Sequence, residues 1–179
     1  MNLSYRFQFN LFVAISYIVL FVFQQRFIFP LQEQFFNFGI LSGSLIFFPH
    51  GVRVLSVMLG GIWILPGLFV AHLVTAVYHL ELLNYIEVFI RAVLSILSIY
   101  LPYYFLKLKE ISLKNILIMA LLSSLLNSLF QSLYLQISMI NLDPYLIFSY
   151  LIGDLLGCIT IFYFIKYIKN LYINFSSKN

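Results

Sequence analysis

The sequence predicts an all-α, polytopic membrane protein of about six transmembrane helices, the third of them broken or kinked. Three observations predict it. First, 63% of the 179 residues are hydrophobic and 9% are charged, where soluble domains carry about 25% charge. Second, six apolar runs, about 9–25, 31–48, 52–78, 83–105, 115–138 and 145–168, approach the roughly 20 residues that a crossing helix needs. The links between them are short, so residues 1–179 form a single integral membrane domain. Third, the basic residues segregate. If all six runs cross, Arg6, Arg53, Lys107, Lys109, Lys114, Lys166, Lys169 and Lys178 share one face, and Arg26 and Arg91 the other. Positive residues accumulate on the cytoplasmic side, so a plasma (inner) membrane protein with both termini cytoplasmic is expected. Were 31–48 re-entrant, Arg6 and Arg26 would exchange sides. The bias therefore fixes the C-terminus more firmly than the number of spans.

The first run has a long apolar core with no small-x-small cleavage site after it, so it reads as a retained helix. It closes on the polar stop Gln24-Gln25-Arg26. Pro30 and the Gln32-Glu33-Gln34 cluster mark an interfacial turn. In the second run, Gly39, Ser42, Gly43 and Ser44 form a small-residue strip suited to close helix approach in a bilayer.

The third run is the least regular. It reads FPHGVRVLSVMLGGIWILPGLFVAHLVTAVYH from Phe48 to His79, with a Pro49-His50-Gly51 turn, Arg53, the Gly60-Gly61 pair and Pro66. Lipid tolerates such interruptions where protein or water satisfies the freed backbone groups, so this run is expected to line an interior. Twenty-seven residues at 1.5 Å rise also exceed one crossing. Arg53 reads as a residue snorkelling to the headgroups, or else as one turned inward to meet an anion or a buried acid.

In the fourth run Asn84, Glu87, Arg91, Ser95 and Ser98 stack along one helix face, and Glu87 and Arg91 are oriented for an i,i+4 ion pair. Arg91 lies below the headgroup level, where ionisable residues face a bundle interior or a watery cavity. Lys107 to Lys114 make a cytoplasmic loop. The fifth run carries a second stripe of Ser124, Asn127, Ser128, Gln131 and Ser132, read as hydrogen-bonding between helices. Asp143-Pro144 makes the outer turn. The sixth run holds Gly153-Asp154-Leu-Leu-Gly157 near the bilayer centre. A charged aspartate there costs about 2.5–3.5 kcal/mol and needs a partner, for which Arg91 and Arg53 are the candidates. Gly153 and Gly157 let another backbone approach it.

The net charge of +4 sits on helix-end lysines that match anionic lipid headgroups, so no nucleic-acid partner is expected. Cys158 is the sole cysteine, which excludes a disulfide and a paired-cysteine metal site. His50, His72 and His79 lack ligand spacing and read as packing or interfacial histidines. No cofactor and no metal are predicted. No nucleophile stands beside a base in sequence, and no paired-histidine motif or phosphate loop occurs, so an enzyme is not expected.

The Phe-Pro-His-Gly-Val turn at Phe48, the glycine pair followed by Ile-Trp-Ile-Leu-Pro-Gly at Ile62–Gly67, and the late Gly-Asp-x-x-Gly at Gly153 resemble the membrane-associated sensor (MASE-type) domains of bacterial signalling proteins. The likeness covers roughly residues 39–165. Members of that family carry more spans and a cytoplasmic kinase or cyclase output. The resemblance therefore implies a short stand-alone input module, working with a separate membrane or cytoplasmic output subunit. In size and layout alone the chain is also similar to the substrate-binding subunits of energy-coupling-factor transporters and to a six-helix rod-shape scaffold, which is fold-level analogy.

The leading expectation is a sensory, small-ligand-binding membrane module. Arg53, Glu87, Arg91, Asp154, His50 and His72 would line its pocket, and Pro49, Gly51, Gly60, Gly61, Pro66, Gly153 and Gly157 would shape it. The lipid bilayer is the other expected partner.

Overall fold

The structure, a computed structural model, describes residues 3–36, 44–76, 84–107, 110–137 and 144–176. Among them there is no strand. The elements are α1 (Leu3–Phe23), a π-helical segment (Gln24–Ile28), α2 (Phe29–Phe36), α3 (Phe48–Gly60), a 3₁₀ turn (Gly61–Ile64), α4 (Leu65–Ala76), α5 (Tyr85–Leu106), α6 (Leu113–Ile137) and α7 (Pro144–Ser176). Five helical stretches among the described residues are long and apolar enough to cross a membrane: Leu3–Phe35, Phe48–Ala76, Tyr85–Leu106, Leu113–Tyr134 and Phe148–Asn170. They are consistent with a multi-pass membrane protein.

The expected second span, 31–48, is not found as a helix of its own. Its described beginning is α2, which continues α1 through the π segment, and its described end, residues 44–47, is irregular. The small-residue strip at 39–43 lies outside the described residues. The π segment has a local cause. Pro30 has no N–H, and its ring would clash with the carbonyl of residue 26 in a regular helix. Widening over Gln24–Ile28 relieves that clash and turns Gln24 fully inward.

The expected third run is two helices joined by a reversal, which contacts along α1 reveal. Gln24 Oε1 accepts from Phe48 N at 3.3 Å, and Gly60 lies against the Phe9 ring. The chain has thus run along α1 toward its N-terminus. It then returns: Asn10 bonds the Trp63 carbonyl at 2.7 Å and Gly67 N at 2.8 Å, and Tyr17 meets His72 with ring centroids 4.8 Å apart. The bend sits at Gly61, whose φ of 63° suits glycine and few other residues. Asn10 receives the turn's backbone groups, and Pro66 starts α4 where a missing N–H is harmless.

The remaining helices take their directions from α3. Residues 44, 47 and 51 meet Gly153, Gly157 and Ile161 in the same order, so α7 runs with α3. Arg53 reaches Ser95 and Ser98, and Gly61 touches Tyr103, so α5 does too. The six-residue link between α5 and α6 makes them an antiparallel pair. The start of α1, the α3–α4 turn, the α5–α6 link and the end of α7 therefore lie together at one end of the bundle. At the centre, α3 packs against α1, α5, α6 and α7. Val54, Val57, Leu68, Ala71, Ile99, Ile116, Met119 and Cys158 form the apolar core around it.

Candidate functional site

Helix α3 brings two ionisable side chains into the interior within one turn of each other. His50 is 0% exposed and Arg53 1%. Opposite them, Asp154 of α7 is 1% exposed. Arg53 does not snorkel: its Nη2 donates to the Ser95 carbonyl at 2.7 Å and to Ser98 Oγ at 2.9 Å. The docking of the start of α3 against the Gly153–Gly157 stretch explains this, because it sets Arg53 inside the bundle.

The backbone of residues 44–47 can sit there because its polar groups are matched. Phe47 N donates to the Gly153 carbonyl at 2.8 Å. Gln32 Oε1 accepts from Leu45 N and Ser44 Oγ, at 3.1 and 3.0 Å, and Gln24 Nε2 donates to Ser44 Oγ at 2.5 Å. A Cβ at Gly153 would strike the Ser44 carbonyl, and one at Gly157 the Phe47 carbonyl. Gly51 is equally close to the Gly157 carbonyl and Ile161, 2.8 Å from where its Cβ would lie. Pro49 opens α3 at its first turn. Four of the seven predicted shaping residues thus border the ionisable cluster. Gly60, Gly61 and Pro66 do not, because they build the hairpin turn at the end of the bundle.

Asp154 meets neither arginine in an ion pair among the described residues. Its Oδ2 lies 3.2 Å from His50 Nδ1, although the ring N–H is not aligned for a hydrogen bond, and it accepts from Asn127 Nδ2 at 3.5 Å. His50 Nε2 faces Ser123 Oγ at 3.0 Å and Ser124 Oγ at 3.3 Å. His72 joins from α4, with Nε2 3.1 Å from Ser95 Oγ and Nδ1 3.3 Å from Tyr17 OH.

Glu87 and Arg91 stand apart from this centre and from each other. Glu87 forms a capping box with Asn84, the two side chains satisfying each other's backbone N–H at 2.9 Å. The first-turn position of Glu87 favours that role over the ion pair. Arg91 Nε instead donates to Gln131 Oε1 at 2.9 Å, joining α5 to α6.

The serine, histidine and aspartate order of Ser123, His50 and Asp154 has the distances of a hydrolase triad but not its chemistry. Ser123 Oγ donates to the Ala120 carbonyl at 3.2 Å, within its own helix. It is 0% exposed. Four buried atoms in the cluster make no hydrogen bond: His50 Nδ1, which faces Asp154 Oδ2 at 3.2 Å, Arg53 Nε, Asn127 Oδ1 and Asp154 Oδ1. Buried polar atoms without partners are rare and costly. Among the described residues no group of three metal-ligating side chains occurs.

Reading the sequence alone missed Gln24, Gln32, Asn10 and Ser123. Gln24 and Gln32 look like interfacial punctuation, and Asn10 like a helix start. Only the reversal of α3 and α4 gives them buried backbone to bind. Of the other residues singled out in the sequence, His79, Lys109, Asp143 and Lys178 lie outside the described residues.

Compared with family models, with curated proteins and with solved structures, the chain finds no match.

Proposed function

We propose that the chain is a stand-alone integral membrane sensory module that binds a small polar ligand between α3, α5, α6 and α7. One observation carries the reading. Arg53 Nε, Asn127 Oδ1 and Asp154 Oδ1, one donor and two acceptors among the enclosed atoms of the cluster, make no hydrogen bond. A guest offering two hydrogens and one acceptor atom would complete all three. Pockets of this kind combine apolar walls with a few convergent polar groups. The likeness to membrane-associated sensor domains agrees with this, and a separate output subunit would carry the signal.

In this reading α1, α5, α6 and α7 cross the inner membrane, and α3–α4 enters from the outer side and returns to it. Arg6, Lys107, Lys114, Lys166 and Lys169 then share one face and Arg26 and Arg91 the other, with Arg53 buried between. Both termini are cytoplasmic by the positive-inside rule.

The test is thermal melting of the purified chain against a panel of small polar metabolites, followed through exposure of Cys158 to a thiol-reactive dye. A compound that raises the melting temperature of the wild type but not of Asp154→Asn or Arg53→Gln supports the pocket. One that stabilises all three equally binds elsewhere and sinks it. A second reading is a scaffold without a ligand, and it too has an observation behind it. His50, Arg53 and Asp154 each touch another helix, so together they lock α3, α5, α6 and α7. An energy-coupling-factor substrate subunit would instead co-purify with an ATPase.

A further inference from the structure

At the bundle end that gathers the lysines, the Arg6 guanidinium lies over the Trp63 ring, 4.0 Å from its centroid. Asn10 holds both residues in place, donating to the carbonyls of Arg6 at 2.9 Å and Trp63 at 2.7 Å. Arg6 Nε is enclosed and without a partner, and among the described residues no carboxylate lies within ion-pair distance of Arg6. The ring attracts the cation but leaves its charge uncompensated. Trp63 itself is 54% exposed at the hairpin turn, the kind of amphipathic ring that settles at headgroup level.

We propose that Arg6 and the α3–α4 turn form a seat for the phosphate of an anionic phospholipid in the cytoplasmic leaflet. An arginine guanidinium matches two phosphate oxygens. At headgroup depth the phosphodiester is the abundant anion, and Lys107 and Lys114 at the same end add to its attraction. The inference rests on the cytoplasmic placement of this end and is independent of the polar core.

Trp63 is the sole tryptophan, so its fluorescence reports directly on the seat. The full chain is reconstituted in phosphatidylcholine bilayers with equal mole fractions of phosphatidylglycerol, one lipid or the other carrying brominated chains. Brominated phosphatidylglycerol is expected to quench Trp63 with about fivefold preference, the scale of one basic residue at a charged surface. Arg6→Gln should abolish that preference, and Lys107→Gln should keep most of it. Equal quenching by the two lipids in the wild type overturns the proposal without any variant. Preference retained in Arg6→Gln overturns it as well. If inorganic phosphate at matched ionic strength erases the preference, the seat takes free phosphate and the lipid assignment falls.

Discussion

Replacing Gly153 by alanine attacks the joint that holds the start of α3 in the bundle interior. The new Cβ would land on the Ser44 carbonyl, which is backbone and has no rotamer to change. Forcing α7 and residues 44–47 apart costs about 1–3 kcal/mol as overpacking. Losing the Phe47 N to Gly153 carbonyl bond adds about 0.5–1.5 kcal/mol. Alanine regains about 1 kcal/mol of helix propensity. The net loss is about 0.5–3.5 kcal/mol, or roughly 1–14 °C in melting temperature for a chain of this size. Cys158 provides the assay, since it is the sole thiol and is 0% exposed one turn beyond Gly153. A fluorogenic maleimide added during a temperature ramp reports when α7 opens. Gly60→Ala is the internal control, because its Cβ would meet the far edge of the Phe9 side chain, which can rotate away. The reasoning fails if Gly153→Ala melts with the wild type, or if Gly60→Ala costs as much.

Other expectations follow from the same contacts. Asn10→Ala removes both bonds across the hairpin turn and should destabilise by about 1–3 kcal/mol, read in the same melting assay; no change would argue against the reversal at Gly61. Gln24→Leu leaves the Phe48 N–H unbonded and should cost about 1–3 kcal/mol, whereas Gln25→Leu in the same segment should cost under about 0.5 kcal/mol. A double-mutant cycle between Glu87 and Arg91 should give a coupling near zero, against about 0.5 kcal/mol for an i,i+4 ion pair, because Glu87 caps the helix and Arg91 bonds Gln131. Wild-type protein should not react with a fluorophosphonate serine probe, and labelling lost in Ser123→Ala would overturn the structural reading of that serine.

The helices were legible because their signals are local. Apolar length marks the long helices, and the polar stripe of α6 and the Ser95 and Ser98 end of that of α5 face the interior, as 3.6-residue spacing allows. Asp154 stood out because an acid in an apolar run needs a partner, and Gly153 and Gly157 because small residues imply close approach. What composition hid was direction. Gly60-Gly61 and Pro66 announce a break, but a kink and a full reversal leave the same residues in the sequence. The difference lies in Asn10, more than fifty positions away. His50 and Asp154 become neighbours where residues 44–51 dock against Gly153 and Gly157, and Glu87 goes to its own helix end because a capping box forms within one turn.

The central claim is that a guest bonds the unpartnered atoms of Arg53, Asn127 and Asp154. Native mass spectrometry of the chain, purified from its cells in gentle detergent, measures this most directly. The account predicts a reproducible non-lipid mass on the wild type that is absent from Asp154→Asn, with both proteins folded by the Cys158 melt. A wild type free of any bound small molecule, and unchanged in mass by Asp154→Asn beyond the substitution itself, would contradict it and leave Asp154 as a lock between helices.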